Sequence, residues 1–278
     1  MLFPIIASLA QAFGVMTDKV VLSKIKVPIN RFIPLLFSLL AFFTLLVLPF
    51  DNWLSTEIIT WPIIGLFGLM ILLAFSWNIL YYQAIQRETV QEFEPILMLS
   101  PLVVVLLAPI FYAEERSLVI FLVSLVAGII LVLSNLKKGQ IRFQRESLGL
   151  VACIFLMGLE VLVIRRLLDF FAPATLYFIR CTILFLLFLV FYRTSFARVH
   201  PSAVWGIVMT SLLGVAQMVA RFYSYQSIGI LFTTLVLSIS PALVYLFGFF
   251  FLKEKILPKR LIGGILIFVC VIIGYLLA

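Results

Sequence analysis

The chain has 278 residues, of which 64% are hydrophobic and 12% are charged, and its formal net charge is +8. Soluble domains contain about 45–50% apolar and about 25% charged residues, so this composition excludes a water-soluble globule. The apolar residues form successive blocks of roughly 20, the length of a helix that crosses a bilayer. Because these blocks are continuous rather than alternating, they indicate helices and not barrel strands. The sequence therefore predicts an all-α polytopic membrane protein.

Ten transmembrane helices are predicted, and no segment between them is long or polar enough for a soluble domain. We expect the first block to be retained as a helix, because it lacks the basic start of a signal peptide. The join between the eighth and ninth spans is very short, and Gly229 can supply the tight turn that it needs. In chain order the spans are Leu2–Leu22, Phe32–Phe50, Trp61–Tyr82, Phe93–Tyr112, Leu118–Leu136, Leu148–Leu168, Ala174–Tyr192, Val204–Tyr225, Ile228–Leu252 and Leu257–Leu277.

The fourth and ninth spans share a pattern at a constant offset of 140 residues. The offset aligns the Ser-Pro of "SPLVVVLLAPIFYAEER" with the Ser-Pro of "SPALVYLFGFFFLKEK". Gly128 and Gly274 also take matching places, in the fifth and tenth spans. We therefore predict two five-helix halves, 1–138 and 139–278. Because five is odd, the second half enters the membrane from the opposite side, and the two halves are expected to be inverted repeats.

This arrangement resembles the drug/metabolite transporter superfamily. The resemblance rests on five plus five helices, a proline within the fourth and ninth spans, and a glutamate at the end of each. EamA-like transporters are the closest branch, and the resemblance covers the whole chain. It implies a ten-helix basket in the cell (inner) membrane, whose central cavity is lined mainly by helices 1, 3, 4, 6, 8 and 9. It also implies transport of small metabolites, commonly export of amino acids.

The orientation in the membrane follows from the Lys and Arg residues near the span ends. Fifteen lie in the connections 1–2, 3–4, 5–6, 7–8 and 9–10, and three lie on the other side. Basic connections stay in the cytoplasm, so the count places both termini outside. The transporters that the chain resembles usually have both termini inside, and both orientations stay open.

Polar residues recur at helical spacing in four of the spans. A polar stripe that faces lipid is costly, so we expect these faces to line a cavity or to pack on one another. The stripes are Ser8, Gln11, Val15 and Asp18 in the first span, Ala74, Asn78 and Tyr81 in the third, Gly214, Gln217, Arg221 and Ser224 in the eighth, and Thr234, Ser238, Pro241 and Tyr245 in the ninth.

Three charged residues are predicted at a similar depth, roughly 6–12 Å from one membrane surface. We expect Glu160, Arg180 and Arg221 to form a cluster with one surplus positive charge, which would attract an anionic substrate group. Glu160 is the candidate proton carrier, because its protonation would depend on whether substrate occupies the arginines. The alternative is a Glu–Arg pair that only fixes helix packing, with Arg180 extended towards the interface.

The candidate substrate-binding residues are taken from the stripes and from this cluster. For Asn78 and Gln217, a hydrogen bond between helices is an equally simple explanation. Aromatic residues such as Trp77 and Tyr223 could stack on a substrate, although near span ends they more often form the interfacial belt. The full set is Gln11, Asn78, Tyr81, Glu160, Arg180, Gln217, Arg221 and Ser238.

Pro101 and Pro241 occupy matched positions in the fourth and ninth spans. Each is expected to bend its helix, either as a hinge point for alternating access or as a static kink. Glu114 and Glu254, at the ends of the same spans, are expected to make structural or gating contacts rather than to bind substrate.

The favoured function is a secondary transporter, expected to export a small polar metabolite such as an amino acid or organic anion, with possible coupling to protons. The alternatives are a lipid or lipid-linked sugar flippase, a nucleotide-sugar exchanger, or a channel. An enzyme is disfavoured because no catalytic motif is present. The expected partners are a small-molecule substrate and the lipid bilayer, with no nucleic acid, and the chain is expected to be a monomer or homodimer. No cofactor or metal is expected, because Cys153, Cys181 and Cys270 are scattered and His200 lies in a connection.

Overall fold

The computed structural model describes residues 2–19, 21–22, 27–51, 60–87, 99–135, 147–193, 201–252 and 258–277. Apolar helices make up nearly all of this part of the chain, because a backbone in hydrocarbon can bond only to itself. The helices are α1 (Leu2–Lys19), α2 (Ile29–Leu45), α3 (Trp61–Arg87), α4 (Ser100–Phe111), α5 (Leu118–Asn135), α6 (Ser147–Leu167), α7 (Pro173–Tyr192), α8 (Pro201–Ile228), α9 (Ile230–Leu237), α10 (Ser240–Leu252) and α11 (Pro258–Leu277).

Each of the ten predicted spans contains helix in the part of the chain that the structure describes. Five stretches are long and apolar enough to cross a membrane, at Ile29–Phe50, Trp61–Ala84, Leu148–Leu167, Pro173–Tyr192 and Ala203–Ile228. Five shorter apolar stretches account for the other spans. The predicted boundaries are off by a few residues. The third span, for example, is predicted to end at Tyr82, but α3 continues to Arg87. The second span ends at Phe50 as predicted, although its regular helix α2 ends at Leu45 and a short 3₁₀ turn follows.

Prolines mark where several helices begin. A proline in the first turn has no intrahelical acceptor to lose, and its fixed φ suits the helix. Pro173, Pro201 and Pro258 are the first residues of α7, α8 and α11. Pro101 and Pro241 are the second residues of α4 and α10. Pro241 therefore does not lie in the middle of a bent helix as predicted, because it follows the turn at Ser238 and Ile239. Pro101 follows a turn at Leu99, and the part of its span before Leu99 lies outside the described residues.

The ninth span is interrupted twice by local backbone geometry. Gly229 has φ 83°, in the left-handed region, and forms the predicted tight turn between α8 and α9. α9 then ends at Leu237, and Ser238 and Ile239 form a turn before α10 begins. Most residues of α9 are buried, so this half-length helix lies inside the bundle.

The helices pack as pairs that join the two predicted halves. The most extensive contacts are between α1 and α8, α3 and α6, α5 and α11, and α2 and α7. α1 and α8 run antiparallel, since Phe3 stacks on Tyr223 at one end and Gly206 faces Val21 at the other. α3 and α6 also run antiparallel, since Leu80 approaches Gly149 while Phe67 packs near Phe171, beyond the end of α6.

Glycines allow close approach in the contacts of α5 and α11. A Cβ at Gly128 would lie 2.3 Å from Leu102 Cδ2, and a Cβ at Gly264 would lie 2.8 Å from Ala242 Cβ. Leu102 and Ala242 are separated by the same 140 residues that align the two halves. Gly264 thus makes a contact that corresponds to that of Gly128, while the predicted match of Gly128 with Gly274 stays a prediction.

Two buried carboxylates bond to the N-termini of helices that are distant in sequence. Asp51, after α2, accepts hydrogen bonds from the backbone N–H of Thr175 (2.9 Å) and from the hydroxyl of Tyr223 (2.8 Å). Glu115, after α4, accepts hydrogen bonds from the backbone N–H groups of Ile230 and Leu231. These acceptors satisfy N–H groups that have no partner within their own helix.

The outward faces of the bundle are apolar. Exposed large side chains recur along α5 and α11, including Leu122 and Val126 on one and Ile265 and Phe268 on the other. A contiguous apolar surface of this kind suits contact with lipid acyl chains. The free thiols Cys153, Cys181 and Cys270 are buried inside helices, as expected.

Candidate functional site

A central cavity of about 390 Å³ lies between the helices of the two predicted halves. Its wall is formed by α1, α3, α4, α6, α8, α9 and α10, as the stripes and the resemblance predict, with additional residues from α2, α5 and α7. Every residue predicted to bind substrate or to bend a helix lines this cavity: Gln11, Asn78, Tyr81, Pro101, Glu160, Arg180, Gln217, Arg221, Ser238 and Pro241.

Glu160 is held in the wall by two donors from different helices. Arg180 Nε, on α7, donates to Glu160 Oε1 at 2.7 Å, and Trp77 Nε1, on α3, donates to Glu160 Oε2 at 2.5 Å. The side chains of Arg180 and Glu160 are only 3% and 5% exposed. Arg180 therefore does not extend to the interface. It serves as the counter-charge that a buried carboxylate needs.

Arg221 lies in the same wall but has a different partner. Its Nη2 donates to Gln11 Oε1, on α1, at 2.7 Å, while its Nε is buried without a hydrogen-bond partner in the described part of the chain. The predicted cluster of three charges is therefore split into a Glu160–Arg180 pair and an Arg221–Gln11 pair. Similar depth along the helices did not determine which side chains meet.

A second acid, Asp18, lines the cavity and was not among the predicted site residues. It was recognised only as the end of the α1 stripe. With it, the charged residues that line the cavity are Asp18, Glu160, Arg180 and Arg221, two acids and two bases. The described wall is thus balanced in formal charge rather than slightly basic as predicted. Its charges are nevertheless unevenly paired, because Asp18 and Arg221 are not bonded to each other.

The neutral polar residues of the site are mostly satisfied within their own helices. Asn78 Nδ2 donates to the Ala74 carbonyl at 2.7 Å, and Ser238 Oγ donates to the Thr234 carbonyl at 2.9 Å. These intrahelical bonds differ from the bonds between helices that were considered for Asn78. The Ser238 bond lies next to the interruption between α9 and α10.

The aromatic residues divide between the cavity and the membrane ends. Trp77, Tyr81 and Tyr225 line the cavity, which for Trp77 favours the alternative of stacking on a substrate over a place in the interfacial belt. Its hydrogen bond to Glu160 directs the indole inwards. Tyr223 instead bonds to Asp51 and stacks on Phe3 at 5.1 Å between ring centroids, away from the cavity wall.

Of the two glutamates predicted to make structural or gating contacts at the ends of the fourth and ninth spans, the structure describes only Glu114. Glu114 is 58% exposed and lies 3.5 Å from Arg165 in an ion pair, which agrees with a structural contact. Its neighbour Glu115, which was not among the predicted residues, makes the closer contact, with the backbone N–H of Ile230. Glu254 and His200 lie outside the described residues, as do the basic connections near them.

Metal binding has no support in the described residues, since no three His, Cys, Asp or Glu side chains among them lie together as ligands. The cavity instead offers guanidinium, carboxylate, amide and hydroxyl groups around an otherwise apolar space. Such a wall suits a small polar organic molecule.

The apolar helices, and the cavity with polar groups between them, describe a multi-pass integral membrane protein with a central cavity. Residues 145–276 match the model of the EamA-like transporter family, which confirms the predicted resemblance over this segment. A solved structure described as "Crystal structure of protein" has a TM-score of 0.75 and 18% sequence identity, and the match covers 100% of this chain and 96% of the other. At this identity the likeness shows a shared fold alone. No curated protein matches the chain.

Proposed function

We propose that this protein is a secondary transporter that moves a small polar metabolite with an anionic group across the membrane. Export is the expected direction of transport. The proposal depends on the position and the partner of Arg221. It lines the cavity and bonds to a neutral amide, whereas Arg180 is paired with a carboxylate. A guanidinium in a poorly hydrated wall attracts a carboxylate or a phosphate strongly, because hydrogen bonds between charged groups are the strongest kind.

Alternating access is supported by the way in which the helices pair. In the two predicted halves α1 corresponds to α6, α3 to α8, and α4 to α9 with α10. The α1–α8 pair therefore corresponds to the α6–α3 pair, and the contact of α4 with α6 corresponds to the contact of α9 and α10 with α1. All of these contacts are present. Together with the antiparallel directions of these pairs, this pattern supports inverted halves 1–138 and 139–278. Inverted halves can close around a central site from either side.

The turns at Leu99 and at Ser238–Ile239, which precede Pro101 and Pro241, supply the positions where such motion could occur. Both prolines line the cavity wall, and the second turn separates α9 from α10. A turn such as Ser238–Ile239 can absorb a change of backbone dihedrals without breaking the helices on either side. We propose these two turns as the hinges.

Substrate binding is tested by exchange of labelled compounds in proteoliposomes. The screen uses amino acids, organic acids and nucleotide sugars, with and without a pH gradient. Arg221→Gln should reduce the uptake of the transported anion about tenfold or more, as expected for the loss of a charged hydrogen bond. Arg166→Gln, at an exposed arginine on the end of α6, is the matched control and should leave uptake unchanged.

Equal uptake by the Arg221→Gln and Arg166→Gln variants, at equal reconstitution, would contradict the proposal. Movement of a lipid-linked sugar between leaflets, without uptake of any soluble anion, would instead support the flippase alternative.

Proton coupling is tested at Glu160. Its two oxygens bond to Arg180 and to Trp77, so a change in its protonation would alter contacts to two helices at once. We expect Glu160→Gln to abolish the stimulation of uptake by a pH gradient while keeping exchange at equal pH. Normal pH stimulation in this variant, at normal expression, would remove Glu160 from the coupling role.

A further inference from the structure

Asp18 and Gln11 lie on the same stripe of α1, separated by two helical turns. Two turns correspond to a rise of about 10 Å, so Asp18 lies well along the cavity from the Arg221–Gln11 bond. Both residues line the cavity, together with Gly14 and Val15 between them. α1 thus carries Gln11, the partner of the positively charged Arg221 on α8, and a carboxylate two turns further along its stripe.

The surroundings of Asp18 provide no counter-charge among the described residues. Thr210 lies beside the carboxylate, and Tyr81 and Tyr82 are close enough for an electrostatic interaction with it. Even so, Asp18 Oδ1 and Thr210 Oγ1 are buried and neither has a geometrically satisfactory hydrogen bond in the described structure. A buried carboxylate with an unsatisfied oxygen is costly, and a bound ammonium group would remove that cost.

We infer that Asp18 is the cation-binding end of the cavity and that the substrate is a zwitterion whose amine is several bonds away from its anionic group. The inference rests on the proposed function, in which Arg221 binds the anionic group. The amine would donate to Asp18 Oδ1, and the phenol ring of Tyr81, which also lines the cavity, would offer its π face. Diamino acids and ω-amino acids belong to this substrate class.

The spacing of Gln11 and Asp18 along α1 favours a bridge longer than the main chain of an α-amino acid. Hydrogen bonds of about 3 Å at each end of the roughly 10 Å span leave on the order of 4–5 Å for the substrate itself. The ammonium and carboxylate of an α-amino acid are attached to one carbon and are closer than this. A chain of three or more methylene groups, as in γ-aminobutyrate, reaches across.

The test measures binding to the full chain in detergent by thermal shift, with five probes: γ-aminobutyrate, β-alanine, butyrate, butylamine and glycine. Wild-type protein should bind γ-aminobutyrate at least tenfold more tightly than butyrate or glycine. Asp18→Asn should bind γ-aminobutyrate and butyrate equally. Asp169→Asn, at the end of α6 outside the cavity wall, is the control and should keep the wild-type preference.

Asp18→Glu provides a second variant that keeps the charge, in case Asp18→Asn does not fold. Its carboxylate reaches one methylene further, so the preferred chain should shorten towards β-alanine. Equal binding of butyrate and γ-aminobutyrate by wild-type protein would overturn the inference while leaving anion binding at Arg221 intact. Binding of none of the probes that carry a carboxylate would count against both proposals.

Sodium chloride alone provides the remaining comparison. If Na⁺ stabilises the wild type but not Asp18→Asn, and γ-aminobutyrate adds nothing beyond butyrate, Asp18 is an inorganic cation site and the amine-binding inference is overturned. No dependence on Na⁺, together with a preference for the amine that requires Asp18, supports the inference.

Discussion

The Glu160–Arg180 pair joins α6 to α7 from inside the bundle, and Trp77 adds α3 to the same contact. Two charges in a dry interior lose their hydration, and their attraction repays this only with good geometry and further hydrogen bonds. The donor from Trp77 provides such a bond. Removing one partner is therefore far more costly than the net contribution of the pair, because the other charge stays buried.

Arg180→Met should destabilise the protein by about 3–5 kcal/mol, since it leaves Glu160 without a counter-charge. Adding Glu160→Gln should recover part of that loss. Thermal unfolding of the single and double variants in detergent measures the coupling between the two positions.

The exposed Arg166–Asp169 pair is the control for this cycle, with side chains 56% and 35% exposed. Its coupling should not exceed about 0.5 kcal/mol. Coupling at Glu160 and Arg180 no larger than that of the surface pair would show that the buried contact is not important for stability.

At this scale, the sequence predicts which residues face the cavity better than it predicts their partners. Gln11, Asn78 and Arg221 were placed correctly because helical periodicity is a local property of the chain. The bond from Arg221 to Gln11 joins residues 210 positions apart and depends on how α1 and α8 are rotated against each other. The direction of the Trp77 side chain, set by Glu160, could not be predicted for the same reason.

At the scale of the helices, the starts of α7 and α9 depend on acids supplied by other segments. No side-chain cap was found at the residue that precedes either helix. Asp51 and Glu115 take that role from connections in the first half. A local reading of the sequence can identify Gly229 and the prolines, since their effects are confined to their own backbone. It cannot identify a cap that lies more than 100 residues away.

Glu115→Ala should destabilise the protein by roughly 1–3 kcal/mol, because two backbone N–H groups at the start of α9 lose a charged acceptor. Glu114→Ala removes the neighbouring carboxylate, which is exposed and makes only a long ion pair, and should change stability by less than about 0.5 kcal/mol. Urea or heat unfolding of the two variants side by side is the measurement. Equal losses for both would refute the cap.

Gly264→Ala should destabilise the packing of α11 on α10 by about 1–3 kcal/mol, since the added Cβ would meet Ala242 Cβ, which cannot rotate away. Gly65→Ala, on α3, places its Cβ where no atom lies within 4 Å, and should be neutral or stabilising by up to about 1 kcal/mol. Comparison of the two melting temperatures tests the assignment of Gly264 as the close-packed glycine.

At the scale of the whole molecule, composition was sufficient to predict helices in a membrane, and the offset of 140 residues was sufficient to suggest two halves. The contacts α1–α8 and α3–α6 agree with that division. The interruption of the ninth span could not be read from hydropathy, because α9 and α10 are both strongly apolar. Only Pro241 marked the position.

The charge count predicts that both chain ends lie outside the cytoplasm. Single cysteines introduced after Met1 and before Ala278, in a background without the three native thiols, should react with an impermeant maleimide added to intact cells. A cysteine within the 137–145 connection should react only after the cells are permeabilised. The opposite pattern of labelling would establish the orientation usual among the transporters that the chain resembles.

Asp51 and Glu115 have a consequence for the proposed alternating-access cycle, because both extend from the predicted first half into the predicted second half at the membrane face where α7 and α9 begin. The two contacts hold the helices together on that side. Separating the predicted halves there would leave two carboxylates, and the N–H groups that donate to them, without hydrogen-bond partners. At the face that carries the chain ends, two carboxylate contacts therefore join the helices, and in the proposed cycle an occupant that opens that face must contribute enough binding free energy to break both contacts.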